Sequence, residues 1–107
     1  MANPWRGEVA LTINGAPRKL RLTLGALATL EARLHTGSLV ALVERFENGG
    51  FSAADVLALL EAALEGGGSP MQAADLAQAE IEGGPIGAAR AAAAVLAAAF
   101  IVPGETA

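Results

Sequence analysis

The chain has 107 residues, a formal charge of −4, one His, one Trp and no cysteine. That length is one domain's worth, and the counts exclude a disulfide framework, a cysteine-built zinc site and a thiol nucleophile. Of the 53% hydrophobic residues, 26 are alanine, which adds little area to a core.

The first element is a hairpin. Val9, Leu11 and Ile13 alternate with Glu8, Ala10 and Thr12, and Leu20, Leu22 and Leu24 alternate with Lys19, Arg21 and Thr23. Period-two alternation on both sides of Asn14-Gly15-Ala16-Pro17 predicts a β-hairpin over residues 6–24. Pro17 falls at the turn end of the second strand, where a missing N–H is tolerated. Two strands are not stable alone, so the aliphatic face must rest on helices or on another chain.

From residue 25 the period becomes helical. Leu24, Leu27, Leu30 or Glu31, and Leu34 follow one helical face that stops near His35-Thr36-Gly37. Ser38 is placed to cap a short helix with Leu39, Leu42, Val43 and Phe46 on one side, ended by Asn48-Gly49-Gly50. Ser52 with Asp55 three residues on resembles a capping box, with Phe51 able to staple onto Val56. Val56, Leu59, Leu60, Ala63 and Leu64 form the stripe of that helix, and Gly66-Gly67-Gly68 ends it. Ser69-Pro70 predicts the start of another short helix, with Pro in its first position and Met71, Ala74, Leu76 and Ala77 as its apolar residues. After Gly83-Gly84-Pro85, a last helix runs over 86–100 with Ile86, Ala89, Ala93, Leu96, Ala97 and Phe100 on one face. Residues 101–107 form a loose tail. The expected fold is therefore α+β and mostly helical, a single domain over 1–107 with an N-terminal β-hairpin packed on about five short helices (25–100).

No chemistry-bearing motif emerges. His35 and Ser38 lack an orienting third group, and a His near a helix C-terminus is accounted for by the dipole there. One His with scattered carboxylates gives no metal-ligand spacing. The glycine runs are helix stops, since no strand precedes them and no Lys-Ser/Thr follows. A helix-turn-helix over 51–81 would turn Asp75 and Glu80 toward phosphates, so no nucleic-acid partner is expected. The longest apolar run, Ala91 to Val102, has 12 residues, too short to cross a bilayer, and acidic helix faces do not suit a membrane surface. No signal-peptide pattern opens the chain. The expectation is a non-enzymatic, cytoplasmic protein without cofactor or metal.

Charge is unevenly spread. Residues 1–21 hold Arg6, Arg18, Lys19 and Arg21 against Glu8, a sum of +3. Residues 22–107 hold three arginines against ten carboxylates, a sum of −7. One reading is solvated faces; the other is a basic edge that meets an acidic partner or the acidic helices of another copy. Trp5 either covers the hairpin edge or anchors a partner. The alanine-rich last helix, ending at Phe100, permits close approach within the domain or between chains. The candidate partner-binding residues are thus Trp5, Arg6, Arg18, Lys19, Arg21 and Phe100.

Several of these segments together resemble a known family. Arg6-Gly7-Glu8-Val9-Ala10-Leu11, the turn at Asn14-Gly15, and Leu20-Arg21-Leu22-Thr23-Leu24-Gly25-Ala26-Leu27 are similar to the gene-transfer-agent tail protein family. Leu39-Val40-Ala41-Leu42-Val43-Glu44-Arg45-Phe46 and Phe51-Ser52-Ala53-Ala54-Asp55-Val56-Leu57 extend the likeness, which covers roughly 6–100. The family is grouped with phage tail assembly chaperones and also labelled a tail tube protein. The resemblance implies a chaperone that binds the tape-measure protein and helps recruit major tail tube subunits, in a gene transfer agent or prophage. The alternative it leaves is a structural tail component, a tail tube or connector subunit. A hairpin edge would suit strand-to-strand pairing, and so a homo-oligomer through the hairpin.

Overall fold

The computed structural model describes residues 7–33 and 39–99. Leu34, His35 and Ser38, with the helix stop and cap expected there, lie outside the described residues. Two strands, β1 (Glu8–Ile13) and β2 (Ala16–Arg21), precede five helices: α1 (Leu24–Arg33), α2 (Leu39–Asn48), α3 (Ala53–Gly66), α4 (Ala73–Gln78) and α5 (Gly84–Ala99). The hairpin and helix-dominated α+β class expected from the sequence are present.

The two strands pair antiparallel, from Glu8 opposite Arg21 to Ile13 opposite Ala16. That register leaves a two-residue turn, Asn14-Gly15, with φ of 53° and 78°. Positive φ at both positions is the turn whose twist matches the strands, and Asn-Gly tolerates it. β2 starts nearer the turn than the alternation suggested and stops at Arg21. The Thr23 hydroxyl then accepts from the Ala26 N–H at 3.1 Å and caps α1. Leu24 therefore opens a helix instead of ending a strand.

Leu11, Ile13, Leu20 and Leu22 turn inward and meet Leu59, Leu60 and Leu64 of α3 and Val95 and Leu96 of α5 in one buried cluster. The α3 stripe is the one its spacing predicted, and its cap is a full capping box. The Asp55 N–H donates to Ser52 Oγ (3.1 Å) and the Ser52 N–H donates to Asp55 Oδ2 (2.9 Å).

Three expectations are corrected. In α1 the buried residues are Ala26 and Leu30, whereas Leu24 is 84% exposed. α4 begins at Ala73, not at Pro70, because Gln72 provides the extended N-cap backbone. In α5 the buried face is Ala88, Ala91, Ala92, Val95 and Leu96, while Ile86 is 67% exposed. The stripe through Ile86, Ala89, Ala93 and Ala97 thus lies mostly on the other side. With alanine at most turns of α5, side-chain size offers little contrast between faces, and the neighbours decide which one is buried.

Candidate functional site

The hairpin cations do not form one patch. Lys19 and Arg21 lie on the same face as Ala10 and Thr12, away from the core, but Arg18 is opposite Leu11 on the aliphatic side. The Arg18 Nε is buried without a hydrogen-bond partner among the described residues. Lys19 Nζ stands 3.8 Å from the buried Glu8 carboxylate. Trp5, Arg6 and Phe100 lie outside the described residues.

The hairpin edges differ from the expectation of free strands. Pairing alternates from the turn, so the Lys19 and Arg21 carbonyls point away from β1. There they meet the end of α3: a Cβ at Gly66 would collide with the Arg21 carbonyl, and one at Gly67 with that of Lys19. The glycines therefore do more than stop the helix; they let it close over the β2 edge. Near the turn, β1 is occupied too. The Asn14 N–H donates to the Glu80 carbonyl (2.7 Å), and the Glu82 N–H donates to that of Thr12 (3.0 Å). The Glu80 N–H returns a bond to Asn14 Oδ1 (2.8 Å). Strand-to-strand pairing through β2 is blocked by the protein's own α3.

Apolar surface is exposed elsewhere, in two grooves along α5. One, about 530 Å³, lies between α2 and α5 and is lined by Leu39, Val40, Val43, Phe46 and Glu47 of α2 and by Ala93, Leu96 and Ala97 of α5. Val40 is 69% exposed. The other, about 440 Å³, lies toward the start of α5, where Phe51, Leu57, Ala77, Ile81, Pro85 and Ala89 contribute. Phe46 and Phe51 stack between the grooves, with ring centroids 4.6 Å apart and planes 7° from parallel. The α5 positions Ala89, Ala93 and Ala97, spaced by four, form a floor of small residues through both.

The wall formed by α2 is fastened by one carboxylate. Arg45 donates from Nε to Asp55 Oδ2 (3.0 Å) and from Nη2 to Oδ1 (3.1 Å), a bidentate pair. The same carboxylate closes the α3 capping box. Burial alone would raise the Asp55 pKa, but the Arg45 hydrogen bonds and charge, with the Ser52 bonds, outweigh it and hold the carboxyl below its ordinary value. The turn after α2 is closed by Gly49 at φ 75° and by the Gly50 N–H donating to the Arg45 carbonyl (2.8 Å). Sequence spacing identified the cap and the turn. It missed the Arg45–Asp55 pair, which joins separate elements, and the grooves, which exist only between helices.

The surfaces offered are apolar troughs, the α2–α5 one with Glu47 in its lining, and a hairpin face that carries Lys19 and Arg21 beside Glu8. Among the described residues, no cluster of three or more His, Cys, Asp or Glu is arranged to hold a metal, and no helix is long and apolar enough to cross a membrane. Residues 6–101 match the family model described as phage tail tube protein, GTA-gp10. No curated protein and no solved structure matches the chain.

Proposed function

The chain belongs to the phage tail tube protein (GTA-gp10) family, and from that premise we propose that it is a structural component of a phage-like particle's tail. The observation that carries this reading is the match over residues 6–101, which spans the hairpin and all five helices. The family's description favours a tail component over the tape-measure-binding chaperone expected from the sequence. In this role the chain works through contacts without catalysis. It associates with tail tube subunits and with other copies of itself, using the hairpin's side-chain face, since its β2 edge is covered. It is made in the bacterial cytoplasm, where particles assemble.

A second reading is favoured by the grooves. A two-stranded sheet offers few strands for a tube wall, whereas an open apolar trough along α5 has a small-residue floor suited to receive a helix. That is the geometry a chaperone would use to hold the tape-measure protein and then release it to incoming tube subunits. Mass spectrometry of purified particles separates the two. The structural role requires the protein in stoichiometric amount in finished tails. The chaperone role requires its absence from them, together with failed tail formation when its gene is deleted. Normal tails in the deletion strain would exclude both.

A further inference from the structure

Self-association through the hairpin requires a receiving surface, and the helical part carries one that complements the hairpin end. Leu24 opens α1 three residues after Arg21 and is 84% exposed, although Ala26 and Leu30 of the same helix are buried. It forms an apolar knob that follows closely on the cationic residues Lys19 and Arg21. The α2–α5 groove is its converse, an apolar trough lined by Val40, Val43 and Ala93 together with Glu47. Glu44, one turn before Glu47 on the same helix, is also exposed.

Gly66, at the C-terminal end of α3, sits close to Ala26 of α1, and Asp55, in its first turn, is bonded to Arg45 of α2.

We propose that the Leu24 corner of one copy docks in the α2–α5 groove of the next, with Arg21 and Lys19 facing Glu44 and Glu47. The occupant is a second copy because this chain itself displays the matching parts: an exposed leucine that follows Lys19 and Arg21 along the chain, and an apolar trough whose lining includes the Glu47 carboxylate. The contact is heterologous, so it repeats head to tail until a ring or filament results. This docking rests on the self-association proposed above and adds the surfaces that make it.

Sedimentation velocity of the full chain at up to about 100 μM tests it. The wild type should associate with rising concentration. Leu24→Glu and Glu47→Arg should each weaken association by about tenfold or more with unchanged circular dichroism, since both side chains are exposed. Mixed together, these two variants should form a one-to-one complex, because the intact knob of the Glu47→Arg chain fits the intact groove of the Leu24→Glu chain while the two altered surfaces stop further growth. A wild type that stays monomeric overturns self-association and this docking with it. Association that survives both substitutions, or variants that fail to combine when mixed, overturns the docking alone.

Discussion

Gly66 and Gly67 have a role that helix termination alone does not describe. A side chain at either would overlap a carbonyl oxygen of β2, a backbone atom that cannot swing aside. Relief would require α3 to withdraw from the sheet edge, exposing part of the buried contact between them. Gly66→Ala should therefore destabilise the fold by about 1–3 kcal/mol, measured by urea unfolding, even though alanine is the better helix former. A neutral or stabilising result would show that Gly66 acts only as a helix stop. The glycine run announces a helix end in the sequence. That two of its members touch a strand more than 40 residues earlier is a property of the assembled chain.

Among the elements, α2 is attached to its neighbour through an ionised group. Leu42 is buried, but the bidentate Arg45–Asp55 pair and the Phe46–Phe51 stack tie α2 to the start of α3. The Asp55 carboxyl is held below its ordinary pKa in the folded protein. Its contribution is therefore fully present above the unfolded value of roughly 4, and is lost as pH falls through the lower folded value. Asp55→Asn keeps an oxygen for the Ser52 N–H but loses the charge pairing with Arg45. The variant should be less stable than the wild type by about 1 kcal/mol at pH 6, with the difference shrinking as pH falls below the unfolded value and through the lower folded one. Urea midpoints of both proteins across that range check this; a gap that persists at the lowest pH would contradict the electrostatic account. The elements were legible to different degrees for a physical reason. In α3, leucines recur on one face and the caps are local, so the sequence marks the helix, its start and its buried stripe. In α5, alanine fills nearly every turn, and only packing against α3 and β1 selects the Ala88–Ala91–Ala92–Val95 face.

Across the whole molecule, the hairpin closes one side of the helical core. Leu11 and Ala10 are adjacent in sequence, yet one is 7% exposed beneath α3 and α5 and the other faces solvent beside Lys19. Leu11→Asp would lose roughly 2 kcal/mol of apolar burial and place an unpaired charge in that core. The combined loss approaches the whole stability of a small domain, so the variant should have no cooperative thermal unfolding. Ala10→Asp should keep it within about 0.5 kcal/mol of the wild type. Circular dichroism melting curves distinguish the pair, and two similar curves would place the core elsewhere. The sequence by itself determined the hairpin, the Asn-Gly turn, the α3 capping box and the helix-dominated α+β class, because each is written in residues a few positions apart. Only the tertiary structure decided which faces of α1 and α5 are buried, that α3 covers the β2 edge, that Arg18 turns inward while Lys19 and Arg21 turn outward, and where the apolar grooves open. Those features depend on how distant segments pack, and local periodicity carries no information about the partner that each face meets.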